Sequence, residues 1–165
     1  MTSPASLLHQ HLTLFLGRIL SHFVEHHNLG VVIVPPFQMK LADSGREPDL
    51  LFVATAHLDR LQPTFLDGPA DLVVEIVSPE GATRDRGEKY YEYEAGGVLE
   101  YWLLDPQRQW AEFYHLSEGR YRLAFAGAAG EYRSAVLPGF WLHVAWLWQQ
   151  PLPPVLTVLR ELGLI

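Results

Sequence analysis

The stretch DLVVEIV, residues 71–77, decides the fold. Leu72, Val73, Val74, Ile76 and Val77 are apolar and show no alternation with polar residues. A strand with one wet face alternates; an unbroken, β-branched run of this length reads as a central strand buried on both faces. Glu75 interrupts it. A lone carboxylate in such a strand is costly unless something pairs with it, which makes Glu75 the most informative residue of the chain.

Working outward, Ser78-Pro79 ends this strand, and a helix is expected over about residues 84–95, capped by Thr83 and stopped by Gly96-Gly97. Val98–Leu104 reads as the next strand. Asp105-Pro106 then opens a hairpin turn, and Trp110–Leu116 and Tyr121–Phe125 follow as antiparallel strands. Leu137-Pro138-Gly139 precedes a last strand or short helix rich in Trp.

On the N-terminal side, residues 55–70 read as a polar connection and Leu50–Ala54 as a strand opened by Glu47-Pro48-Asp49. Residues 37–42 read as a short strand before a turn at Asp43-Ser44-Gly45. Val31–Val34 reads as a strand. Residues 6–28 carry Leu8, Leu12, Phe15, Leu16, Ile19, Leu20 and Phe23 at helical spacing, with Asn28 and Gly30 as the stop. The tail from Pro151 to Ile165 reads as a proline-rich hinge and a short amphipathic helix suited to an oligomer contact. No repeat or domain boundary interrupts this order, so the expectation is one domain over residues 1–165.

The composition agrees with one packed domain. Apolar residues make up 48% of 165, with five Trp, seven Tyr and eight Phe. The absence of cysteine excludes disulfides, thiolate metal sites and a cysteine nucleophile, and fits the reducing cytoplasm, the expected compartment. No apolar run approaches the roughly 20 residues that span a bilayer, and MTSPASLLHQHL lacks the pattern of a signal peptide. Twelve basic residues against 19 acidic ones give a net charge of −7, which argues against tight, non-specific nucleic-acid binding.

Four constellations carry possible chemistry. Asp49 opens one strand, and Glu75 follows 26 residues later in another. If those strands are neighbours, two hard oxygen donors and a backbone carbonyl, that of Ile76, suit Mg²⁺ or Mn²⁺. The alternative is a turn-capping Asp49 and a structurally paired Glu75. On the following helix, Lys89 can orient a water or neutralise charge on a phosphate, and Arg84 and Arg86 can steer a polyanion; a solvated helix face with internal ion pairs is the alternative. His22-Phe23-Val24-Glu25-His26 matches the H-x-x-E-H string of inverted zinc peptidases, a distant third reading. His9 and His11 are ambiguous in the same way. Glu100-Tyr101-Trp102 and the cluster Trp141, Trp146 and Trp148 can stack bases, but core packing is the commoner use of aromatics in strands.

Taken in order, these residues resemble a known family. Pro48-Asp49-Leu50, DLVVEIVSPE (71–80), Arg84-Asp85-Arg86, Lys89, Tyr93, Gly97-Val98, Glu100-Tyr101-Trp102 and Asp105-Pro106 resemble the Uma family of restriction endonucleases, in the PD-(D/E)XK nuclease superfamily. Leu137-Pro138-Gly139-Phe140 resembles its closing segment and His9-Gln10 its first helix. The likeness runs over about residues 6–148. It implies a restriction-endonuclease-like α/β fold, a mixed β-sheet flanked by helices. It also implies a divalent metal held by Asp49 and Glu75, and hydrolysis of phosphodiester bonds by metal-activated water.

The superfamily places a Lys two residues after the second acid. Here that residue is Val77, a departure common among Uma-like proteins, and Lys89 is the replacement. The chain also starts near the first helix, without the N-terminal hairpin that often precedes it in the family. The expected protein is therefore a Mg²⁺- or Mn²⁺-dependent nuclease acting on nucleic acid, DNA first. Asp49, Glu75 and the Ile76 carbonyl hold the ion, Lys89 assists, Arg84 and Arg86 contact phosphate, and Tyr93 and Tyr101 support the site. A homodimer is expected. The alternative is a non-catalytic, dimeric interaction module on the same fold.

Overall fold

The structure, a computed structural model, describes residues 6–79 and 82–165, with backbone only for 82–85. The side chains of Thr83 and Arg84 lie outside the described residues; the backbone at Thr83, expected as a helix cap, is already helical. Helix α1 (Leu7–His26) begins where the Ser6 hydroxyl accepts the backbone N–H of His9 at 3.0 Å. It is followed by β1 (Gly30–Ile33), β2 (Gln38–Lys40), β3 (Gly45–Arg46), β4 (Leu50–Ala54), β5 (Phe65–Asp67) and β6 (Leu72–Ile76). Then come α2 (Ala82–Gly96), β7 (Glu100–Asp105), β8 (Trp110–Ser117), β9 (Arg120–Gly127), β10 (Glu131–Arg133), β11 (Trp141–His143) and α3 (Val155–Glu161).

Six strands form the main sheet in the order β1-β4-β6-β7-β8-β9. The pair β6–β7 is parallel, as a crossover through α2 requires, and the other pairs are antiparallel. The sheet is therefore mixed, as expected. Alternation along β6 sends Leu72, Val74 and Ile76 into one core, against α1, and Val73 into a second core with Tyr93 of α2. Helices on both faces explain why this strand reads as continuously apolar.

The expected connection over residues 55–70 contains more structure than its polarity indicates. A 3-10 turn spans Thr55–Arg60, and β5 pairs in parallel with β2, which also carries β3, to make a small second sheet. The segment before the Trp-rich stretch contributes β10, paired with β11. The tail helix packs one face onto the body of the protein. Val155, Val158 and Leu159 of α3 are buried in the same core as α1.

The aromatic residues of β7 are packing groups. Trp102 is fully buried, stacks near Phe140 and donates its indole N–H to Glu100 at 2.7 Å. Glu100, itself inaccessible, also accepts from the Ser134 hydroxyl and the Ala135 N–H, and so pins the turn before β11 to the sheet.

Candidate active site

Asp49 and Glu75 meet because their strands are neighbours. The antiparallel register pairs Leu50 with Val74, so one step further Asp49 stands opposite Glu75. Glu75 alternates with Val74 and Ile76 and therefore faces α2 rather than α1. Pro48 is buried and holds the turn into β4. Asp49 Oδ2 accepts the backbone N–H of Ile76 at 2.7 Å, which binds the first acid to the strand of the second.

Each remaining carboxylate oxygen has a partner from a helix. Asp49 Oδ1 lies 3.0 Å from His9 Nε2, on the first turn of α1. Lys89 Nζ of α2 donates to Glu75 Oε2 at 3.1 Å, and the Tyr93 hydroxyl donates to Oε1 at 2.6 Å. Lys89 and Tyr93 are one helical turn apart, which places both over the same carboxylate. Tyr101 packs its ring on Tyr93 at 5.2 Å, and its buried hydroxyl has no hydrogen-bond partner among the described residues.

The electrostatics follow from this packing. Glu75 is 5% exposed, and burial pushes its carboxyl up to about 7; Lys89 opposes the rise and the charge of Asp49 adds to it. His9 is raised above its ordinary value, chiefly by its hydrogen bond to Asp49 and against the effect of its own burial. The site is a pair of interacting carboxylates served by one ammonium, one imidazole and one phenol.

Arg86, expected to contact phosphate, is paired within the protein. Its guanidinium lies 3.9 Å from Asp105 and 3.6 Å from Glu112, across the end of β7 and β8. His9 is the residue that the sequence reading left without a role, beyond the likeness of His9-Gln10 to the family's first helix. The available signal was Ser6, three residues earlier, a helix-cap spacing that sets His9 on the first turn. His22, Glu25 and His26 are exposed on α1. Among the described residues no group of three or more His, Cys, Asp or Glu side chains is placed to hold a metal ion, either there or around Asp49.

A cleft of about 890 Å³ opens at His9 and Asp49 and follows α1 to His22 and Glu25. Its walls are Gln10, Thr13, Leu14 and Arg18 of α1 on one side and Val34, Pro35 and Glu47 on the other.

A mixed sheet crossed through α2 and flanked by helices is a fold found among solved structures. The chain is similar to a protein from Anabaena variabilis described as a putative nuclease belonging to DUF820, with a TM-score of 0.76 and 14% identity, covering 90% of this chain and 84% of that one. At that identity the likeness establishes the fold. No curated protein matches the chain. The sequence model of the Uma2 family, described as "Putative restriction endonuclease", matches residues 1–145, and the chain belongs to that family.

Proposed function

We propose that this protein is a metal-dependent nuclease that hydrolyses phosphodiester bonds of nucleic acid, DNA first, with Asp49 and Glu75 as its metal-binding carboxylates. The observation that carries the reading is Glu75, a buried carboxylate beside a second one, with its acidity displaced to about 7. Two adjacent anionic oxygen donors, one of them buried, fit a hard divalent cation, and the Ile76 carbonyl is the proposed third protein ligand. Bound Mg²⁺ or Mn²⁺ would polarise a phosphate and lower the pKa of a coordinated water.

The chain's own residues do the rest. Tyr93 and Lys89 fix the orientation of Glu75, and His9 and the Ile76 N–H fix that of Asp49. Lys89 carries a proton and a positive charge beside Glu75, suited to orienting a water or offsetting charge on a phosphate. Tyr101 supports Tyr93 from behind. Arg84 and Arg86 are the proposed phosphate contacts; Arg86 makes one by exchanging Asp105 and Glu112 for phosphate. We place this activity in the cytoplasm and in a homodimer. No helix among the described residues is long and apolar enough to cross a membrane.

Cleavage of an oligonucleotide in Mg²⁺ by wild type, with Glu75→Gln and Asp49→Asn inactive, is the expected result. Equal cleavage by wild type and Glu75→Gln would sink the reading. One observation favours the second reading, a non-catalytic dimeric module: every carboxylate oxygen of the pair already has an internal partner. That reading requires Mn²⁺ titrations to show no binding that depends on Asp49 and Glu75.

A further inference from the structure

The cleft along α1 is long and short of positive charge. It follows the helix from His9 to Glu25, about 24 Å at a rise of about 1.5 Å per residue. Three acids line it, Glu25, Glu47 and Asp49, against one basic residue, Arg18. Asp49 already has His9; Glu25 and Glu47 are exposed and make no ion pair among the described residues. Arg18 is likewise exposed and without an ion pair among the described residues. This balance repels a polyanion. The occupant that fits is elongated, apolar along its length and cationic where it meets Glu25 and Glu47.

The outer stripe of α1 is itself such a surface. Leu14 is 60% exposed, and Arg18 lies one turn further along the same face. Both also border a smaller groove on the other flank of α1, toward Pro151–Val155, so they stand on a ridge between two depressions. On the far wall of the cleft Val34 is 55% exposed beside Pro35, an apolar counterpart for Leu14. A ridge and a complementary cleft on one face are what a two-fold axis requires, because each copy offers the same patch and every contact is made twice. Arg18 and Glu25 lie about two helical turns apart, so two antiparallel α1 helices bring each Arg18 to the other copy's Glu25 in one step.

We propose that the cleft along α1 takes the α1 ridge of a second copy of this chain, with the Arg18 guanidinium of each copy entering between Glu25 and Glu47 of the other. The inference rests on the homodimer of the proposed function and names its surface. Because the cleft ends at His9 and Asp49, the second copy then forms one wall of the approach to the candidate carboxylate pair.

Sedimentation velocity over a range of protein concentrations tests this with the full chain. The samples are wild type, Arg18→Glu, the double variant Glu25→Arg/Glu47→Arg, and the two variants mixed. Arg122→Glu, exposed on β9, is the control. All the substituted positions are exposed, so the core is not disturbed, and circular dichroism with thermal melts verifies it. Wild type and control should dimerise. Each cleft variant alone should dimerise about a hundredfold more weakly, about tenfold for each of the two symmetric contacts. The mixture should restore the dimer, because the reversed charge of one variant then faces the reversed charges of the other. A mixture that stays monomeric overturns the proposal. A wild-type dimer that the variants leave intact also overturns it, and moves the homodimer to another surface. A monomeric wild type overturns the proposal and the homodimer together. Cleavage assayed on the same samples separates this inference from the nuclease: Glu75-dependent cleavage by a monomer retains the nuclease alone, and a charge-reversible dimer without cleavage retains the interface alone.

Discussion

Replacing Glu75 with Gln keeps the size of the side chain and removes its charge. The folded carboxyl titrates near 7, raised from an ordinary 4.5, so the folded chain holds this proton more tightly than the unfolded chain does. Stability from this group is therefore complete below 4.5 and declines as pH rises to about 7, above which it is flat. At about 1.4 kcal/mol per pKa unit, the decline is about 3 kcal/mol. Little discount for solvent applies, because Glu75 is 5% exposed.

The Gln variant lacks this titration. Its stability relative to wild type should rise by about 3 kcal/mol between pH 4.5 and 8, or about 6–12 °C in Tm for a chain of this size. His9 titrates with the same sign: its raised imidazolium stabilises the fold at low pH and ceases to as pH climbs through its folded pKa. The difference between the two proteins, rather than either curve alone, reports Glu75, together with the part of the His9 shift that the Glu75 charge supplies, which has the same sign. Urea unfolding in EDTA at pH 5, 6, 7 and 8 measures it. A difference constant across that range to within about 0.5 kcal/mol would refute the claim that burial raises the Glu75 carboxyl.

Three further outcomes follow from the same contacts. Tyr93→Phe removes the 2.6 Å donor to Glu75 and should destabilise the fold by about 1.5–3 kcal/mol above pH 7, with less loss at pH 5, read by the same denaturation series. Mn²⁺ added at pH 6 should displace a proton from Glu75, seen by calorimetry as a binding heat that changes with the ionisation enthalpy of the buffer; a buffer-independent heat would argue against Glu75 as a ligand. Glu100→Ala strands the Trp102 indole and the Ala135 N–H in a dry environment and should cost about 3–5 kcal/mol at any pH between 6 and 9, without affecting metal binding at Asp49.

How much of this was legible in the sequence depends on how far each signal had to travel. Strand β6 announced itself because burial on both faces removes alternation, and Glu75 stood out against that background. Asp49 was legible through its position at the start of an apolar run, and its meeting with Glu75 needed only that β4 and β6 be neighbours. The helix alone left Lys89 as readily on a solvated face; the family resemblance raised it and introduced Tyr93, and the structure shows both, one turn apart, over Glu75. Strands β5 and β10 are three residues each, too short to display a period, and exist because β2 and β11 stand beside them.

The partners of Arg86 and His9 were not legible for a different reason. Their positions along a helix say which way each points, but not which strand end lies there. Arg86 reaches Asp105 and Glu112 across the end of β7 and β8, and His9 reaches Asp49 only because α1 packs on the face of β4 and β6 opposite α2. The carboxylates can be found by asking which charges a strand should not contain. The groups that tune them come from two helices on opposite faces of the sheet, and their assignment requires the packing of both.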